Sequence, residues 1–466
     1  PLMCVPKIKE GVVYDPKNKG SILEYAKRLK GRTLGSFVTS GEINENNKGG
    51  FGQVLESGYF HIENNNDPVP DFEEAGIELK SCPMRKLKFG GYSPKERLAL
   101  GIINYEEIVG QTFEESFMAK NKDLLIVFFL YEKEKTPLEY SILNTTEWVF
   151  PDVDLEVIKR DWNNIREMVV NGRAHEISGG MTFYLEAMPK GAGHERDLRR
   201  QPFCDIPAKQ RAFGLKNKYL RVIFDSLKES EPVIKDISDL KNRHIEDVVA
   251  DIFSQYVGMS IDEIIKKTGT TPSNGKDRYA SMARAMLGIK KKKIDEFEKA
   301  GIQMKTVRLE NNGNLKESMS FPHIRYKEIV NESWEESELY DIMTNRFLFV
   351  VYQKGPDGRS TIFKGIKFWS MGEEDLETVR SVWQDTVEKI KEGDYENFIP
   401  ISADKISHVR PHGRDSSDLT MGPDGKMHKK MCFWLNSSYI KGIIKEIAPE
   451  STTNNRLTRR FLKKVN

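Results

Sequence analysis

The sequence predicts an α/β (α+β) chain made of two tandem copies of one fold, each a mixed central sheet flanked by helices. Three observations carry this reading. The first is length: 466 residues are too many for one ordinary core, so two domains are expected. The second is a repeated phrase. DFEEAGIELK, Asp71 to Lys80, lies without a gap over EFEKAGIQMK, Glu296 to Lys305. The third is that further pairs follow in the same order. GRTLGSF from Gly31 resembles GMSIDEI from Gly258, and YEEIVGQTFEES from Tyr105 matches YKEIVNESWEES from Tyr326. DLEVIKRDW ending at Trp162 matches DLETVRSVW ending at Trp383, and AFGLKNKYL from Ala212 echoes CFWLNSSYI from Cys432. The offsets drift only between 220 and 227 residues. So many matches in one order imply a duplicated domain. The break is placed in the charged stretch Glu229 to Arg243, giving domains 1–225 and 226–466.

The elements follow from local pattern. An opening helix is expected over Ser21 to Leu29, and a short helix after Gly49-Gly50. Ile77 to Pro83 reads as a strand, and the apolar run Leu124 to Tyr131 as a second, with Phe347 to Tyr352 its counterpart. An amphipathic helix runs through Trp162 and ends near Gly172. A glycine stands the same ten residues past Trp383, at Gly393, where a left-handed residue stops a helix.

Composition is that of an ordinary globular protein, 38% hydrophobic and 30% charged. The formal charge of +2 does not announce a nucleic-acid binder, so any such surface must be local. Lys290 to Lys293, Arg196 with Arg199 and Arg200, and the tail from Arg456 to Lys464 are local basic clusters. Each taken singly reads as a solvated surface. Cys4, Cys82, Cys204 and Cys432 form no CxxC pair, which points to free thiols in a reducing compartment. No apolar run reaches about 18 residues, and the N-terminus lacks a signal-peptide core. A cytoplasmic protein, a monomer in solution, is the expectation.

The repeated phrase carries chemistry in one copy only. In Ile77-Glu78-Leu79-Lys80 alternation puts Glu78 and Lys80 on one face of a strand. Asp71, beyond Ala75-Gly76, is spaced to reach that face. Two carboxylates, Asp71 and Glu78, with the Leu79 carbonyl make a hard-oxygen set suited to Mg²⁺. Lys80 is placed to orient an attacking water and to meet charge growing on a phosphate. The same D-x(6)-E-x-K spacing also arises by chance in charged chains, where E-x-K is a solvated pair. In the second copy Gln303 replaces Glu78 and Glu296 replaces Asp71, so that site lacks the ligand charge.

The neighbourhood resembles MutH, a GATC-specific nicking endonuclease of mismatch repair. The likeness runs through NKGGFGQVLE (Asn47 to Glu56), the DFEEAGIELK phrase, the F-E-E-S segment, YLEAMPKGAG (Tyr184 to Gly193) and AFGLK (Ala212 to Lys216). The duplicated layout with a degenerate second copy resembles the two-domain type II restriction endonucleases of the Sau type. The resemblance implies a Mg²⁺-dependent nuclease acting on double-stranded GATC DNA, with Asp71 and Glu78 as metal ligands and Lys80 as catalytic lysine. It further implies Glu56 as an additional acid, Lys120 (with Lys122 close by) as a second active-site lysine, and Lys48, Lys190 and Lys216 as DNA contacts. Met188 and Gly214 depart from the family, which has arginine and an aromatic there. The second copy holds Arg410 and Trp434 at those places, with His412 adjacent, so these three are its expected DNA contacts. A metal pair of His408 and His412 is the lesser reading. The non-cutting copy is expected to be an effector that binds a second DNA site, with a purely structural role as the alternative. A mismatch-repair nickase and a non-cleaving DNA-binding regulator are the competing functions.

Overall fold

The computed structural model describes residues 14–38, 50–62, 69–87, 90–191, 195–226, 229–241, 243–273, 275, 277–403, 405–413, 415 and 417–447. Lys48, Cys4 and the basic tail lie outside them. The chain divides into two compact units. The first comprises Pro1–Ser230, Ile234–His244 and Asp295–Gly301; the second comprises Glu231–Val233, Ile245–Ile294 and Ile302–Asn466.

In the first unit the strands are β1 (Glu78–Lys86), β2 (Tyr92–Pro94), β3 (Leu98–Ile102), β4 (Leu124–Leu130), β5 (Ile142–Trp148), β6 (Leu185–Pro189), β7 (Leu198–Gln201), β8 (Cys204–Lys209) and β9 (Arg211–Leu215). One sheet has the order β2-β1-β4-β5, another β3-β9-β6, and β7-β8 form a separate two-stranded ribbon. β1 and β4 are parallel, with Glu78 opposite Leu124 and Lys80 opposite Ile126, whereas β1–β2 and β4–β5 are antiparallel. β4 is LLIVFFL and almost wholly buried. A strand covered on both faces needs such a continuous apolar run. Leu79, Leu125, Val127 and Phe129 pack into one core with Ile22, Leu55 and Tyr59, each such side chain contributing about 1.5–3 kcal/mol by burial.

The second unit repeats the plan with β10 (Gln303–Leu309), β11 (Met319–His323), β12 (Arg346–Lys354), β13 (Thr361–Ser370), β14 (Ser407–Pro411), β15 (Leu419–Met421), β16 (Met427–Lys429) and β17 (Met431–Leu435). Its sheets run β10-β12-β13 and β11-β17-β14, with a β15-β16 ribbon. β10 and β12 are parallel, Gln303 opposite Phe347, the register of Glu78 and Leu124. Side-chain bonds repeat as well. Tyr219 donates to Asp154 at 2.6 Å and Tyr439 to Asp375 at 2.6 Å. Tyr105 donates to the Lys209 carbonyl and Tyr326 to that of Lys429, both at 2.6 Å. The duplication read from sequence is therefore present in strand order, register and individual hydrogen bonds.

The opening helix spans Lys19–Lys27, two residues earlier than expected, because the Asn18 side chain accepts the Ser21 N–H and caps it there. The helix through Trp162 spans Asp152–Val170 and gives way to Gly172 at φ 67°. Its counterpart, Glu373–Glu392, ends on Gly393 at φ 82°. Among the described residues no helix is long and apolar enough to cross a membrane.

Candidate active site

The turn before β1 assembles the site. The Gly76 N–H bonds the Phe72 carbonyl at 2.8 Å with Gly76 at φ 70°, a left-handed position suited to glycine. Phe72 and Ile77 then form an isolated bridge. This reversal carries Asp71 back beside β1. Its Oδ2 accepts the Leu79 N–H at 2.9 Å, and its own N–H reaches Glu78 Oε2 at 3.2 Å. Glu78 itself is anchored through its N–H on the Asp123 carbonyl at 2.9 Å.

Glu78 is the centre of the cluster, only 1% exposed. Lys80 Nζ lies 2.5 Å from Glu78 Oε1 and Lys120 Nζ 3.4 Å from the same oxygen. Lys120, and not the exposed Lys122, is the lysine that arrives here. It is delivered by a π turn, Glu114–Met118, continued by Ala119–Asn121. Asn121 fixes that turn by donating to the carbonyls of Leu100 and Phe117, both at 2.9 Å. Glu56 sits on a second π turn, Val54–Tyr59, after the short helix Phe51–Gln53. Insertions of this kind re-aim side chains and recur at functional sites.

Electrostatics distinguishes the acids. Burial pushes the Glu56 carboxyl up to about 7; the Asp71 charge adds to this and the Lys80 ammonium opposes it. Burial also raises Glu78 above the ordinary carboxylate range, with Lys80 pulling the other way and Asp71 reinforcing the rise. The site is thus poor in solvent and rich in negative charge, and two ammonium groups hold it together.

Among the described residues no group of three or more His, Cys, Asp and Glu side chains converges closely enough to hold an ion. Two carboxylates and a main-chain carbonyl nonetheless fit Mg²⁺, which keeps several waters and takes few protein ligands.

The expected DNA contacts are dispersed. Lys190 follows β6, its N–H bonded to the Gln210 carbonyl at 2.8 Å. Lys216, expected on DNA, is instead turned inward onto the Thr182 carbonyl. It neighbours Asp161, which accepts the N–H groups of Phe183, Tyr184 and Leu185 at 2.8, 2.7 and 2.9 Å. This fully buried aspartate fixes the entry into β6. Sequence reasoning passed over it, although the second copy has Val382 at its place. The two departures in this region are coupled: a Cβ on Gly214 would lie 2.5 Å from Met188 Sδ and 3.2 Å from the Leu98 carbonyl. A side chain at 214 therefore requires Met188 to move and the Leu98 carbonyl to give slightly.

In the second unit the guanidinium of Arg410 lies 3.9 Å from the Trp434 ring centre. Trp434 donates to the Arg410 carbonyl at 3.4 Å, and His412 meets its ring edge-on. Arg410 and His412 are exposed, whereas Trp434 is buried as their platform. His408 is buried on Asn436 Oδ1 at 2.6 Å, so it does not pair with His412. The residues that match Asp71 and Lys80 are placed differently here. Glu296 is buried and accepts the Ile234 N–H at 2.9 Å within the first unit. Lys305 Nζ stands 5.5 Å from the Phe321 ring centre, its pKa pushed down by burial.

A mixed sheet whose first strand presents an acid and a lysine to a second acid on the preceding turn points to the MutH-like endonucleases. The family model of the DNA mismatch repair enzyme MutH matches residues 60–161 and again 287–381. MutH proteins of Shewanella woodyi and Vibrio campbellii are 25% and 28% identical, each over 38% of this chain and 78% and 79% of their own lengths. The type II restriction enzyme Sau3AI of Staphylococcus aureus is 36% identical over 92% of this chain and 99% of its own. The chain belongs to this family of two-copy, MutH-like type II restriction endonucleases.

Proposed function

We propose that the protein is a Mg²⁺-dependent endonuclease that cuts both strands of duplex DNA at GATC, and that its second unit binds a further DNA site as an effector. The observation that carries the reading is the convergence of Asp71, Glu78, Lys80, Lys120 and Glu56 in the first unit, against Gln303, a diverted Glu296 and a desolvated Lys305 in the second. Asp71, Glu78 and the Leu79 carbonyl would hold the metal. Bound there, Mg²⁺ supplies charge neutralisation and a more acidic water. The chain's own groups do the rest. Lys80 positions the attacking water against the phosphorus and donates to the phosphate oxygens as charge builds. Lys120, on the same Glu78 oxygen as Lys80, shares that load. Glu56, whose carboxyl burial pushes upward, stands beside this cluster as a group that can accept or return a proton. Arg410, held flat by Trp434, is a preformed fork for a guanine edge or a phosphate.

Incubating the purified protein with plasmid DNA and Mg²⁺ tests this. Linear fragments bounded by GATC are expected. Nicks confined to hemimethylated GATC would favour a mismatch-repair nickase, and binding without any cut would favour a regulator.

A further inference from the structure

The β7–β8 and β15–β16 ribbons are built alike. In each a leucine faces a lysine across the strands, Leu198 opposite Lys209 and Leu419 opposite Lys429. In each the lysine's carbonyl is tied down by a buried tyrosine, Tyr105 or Tyr326. Each ribbon is fastened by one side chain turned into its own unit. Gln201 Oε1 accepts the Ala174 N–H at 2.9 Å and its Nε2 contacts His175 Nδ1 at 3.0 Å. His428 stacks on Tyr395 with ring centres 3.6 Å apart and pairs with Asp424 at 2.9 Å.

What each ribbon presents outward is a mixture of apolar groups and cations. In the first, Leu198 and Lys209 are exposed, the Arg200 side chain is 93% exposed with Glu106 only at 3.9 Å, and Phe203 at the tip is 74% exposed. Phe203 is at φ 65°, a strained conformation for an aromatic residue. Its carbonyl packs so closely on Gly172 that a Cβ there would lie 2.7 Å away. The tip is therefore fixed against the end of the Asp152–Val170 helix. In the second, Met421 and Met427 face each other, both exposed, beside the exposed Lys429. Asp205 is the acid on the first ribbon, against Arg199, Arg200 and Lys209.

The comparison between copies says which kind of contact. The second unit has Gln303 where the first has Glu78, yet it shows the same ribbon, the same tyrosine bond to its lysine carbonyl and an exposed lysine. Whatever the ribbon does is thus common to a cutting and a non-cutting unit. We propose that both ribbons are gripping arms for duplex DNA outside the recognition sequence, with Arg200, Lys209 and Lys429 on phosphates and Phe203, Met421 and Met427 against the sugar edges of the groove. The first ribbon lies in the sequence between β6 and β9, which pair in one sheet, and Lys190 stands at the end of β6. This rests on the reading of the protein as a duplex-DNA enzyme.

The test uses the full chain, in EDTA, on two duplexes sharing one central GATC, with flanks of about four or about fifteen base pairs. Each lost phosphate contact removes about 0.9 from the slope of log K against log salt. Arg200→Gln with Lys209→Gln should flatten the slope by about 2 on the long duplex and leave the short one unchanged, and Lys429→Gln should flatten by about 1 the slope for a second long duplex binding to protein that already holds the first. Arg200→Lys with Lys209→Arg should restore it. Lys133→Gln with Lys135→Gln, exposed on another loop, is the charge-matched control and should change nothing. Wild-type slopes in the ribbon variants, an equal effect in the control, or a change in oligomeric state without a change in slope would each overturn the proposal. If wild-type protein binds no duplex at all, the functional reading itself fails, which is a different result from binding that ignores the ribbons.

Discussion

Glu78 carries the largest consequence of any one residue. It is buried, it bridges Lys80 and Lys120, and its oxygen is held near the Asp71 N–H. Glu78→Gln keeps the shape and removes the charge, as the chain itself has done at Gln303. Cleavage should fall by at least about 100-fold while DNA binding in EDTA is retained; single-turnover cutting of a labelled duplex checks this, and wild-type rates would remove Glu78 from the site. Glu56 makes a second residue-scale prediction. Its folded pKa, about 7, is raised above the ordinary value of 4.5. The folded state therefore holds that proton more tightly than the unfolded chain. The associated stability is complete below pH 4.5 and is lost as pH rises through about 7. In metal-free protein the melting temperature of wild type should drop relative to Glu56→Gln across that window. A difference between the two that does not change from pH 5 to 8 would contradict it.

At the scale of elements, the sequence was readable where local pattern decides. The β1 strand, the apolar β4 and the helix ends at Gly172 and Gly393 all follow from alternation, composition and a left-handed stop. The acid, acid, lysine set of the repeated phrase was legible for the same reason, since a turn and one strand contain it. Lys216 and Asp161 were not. Their partners, Thr182 and the N–H groups of 183–185, lie more than twenty residues away, and no local period records such a pairing. Asp161 sets the entry of β6, so Asp161→Asn, which trades one acceptor oxygen for a donor, should cost about 1–3 kcal/mol. It should also weaken GATC preference more than non-specific binding. Unfolding in urea, and competition with scrambled duplex, measure the two effects; unchanged stability would show that the three N–H groups find other acceptors.

For the molecule as a whole, a DNA-binding second unit implies coupling. Occupancy of an effector that favours the cutting-competent state is worth typically ~1–3 kcal/mol. A plasmid with two GATC sites should be cut faster than one with a single site, and a short uncleavable GATC duplex should rescue the single-site rate. Arg410→Ala should abolish that stimulation and spare the slow basal rate, because the Asp71, Glu78 and Lys80 cluster belongs to the first unit. Equal rates on both plasmids over a range of enzyme concentrations would exclude the effector role and leave the second unit structural.

The segment Asp295–Gly301 adds a historical constraint. In the first copy the matching residues fold back to set Asp71 beside its own strand. In the second, Glu296 holds the Ile234 N–H and Lys299 pairs with the buried Asp154 at 2.8 Å, all within the first unit. The segment that matches the Asp71 turn thus makes its contacts inside the first unit and leaves no acid beside β10. Reversion of Gln303 to glutamate restores one ligand to a place from which the other has been removed. Adding Gln303→Glu to the Glu78→Gln protein should therefore revive no cutting. Cutting restored by that single change would show that the second unit needs no acid on the turn before β10.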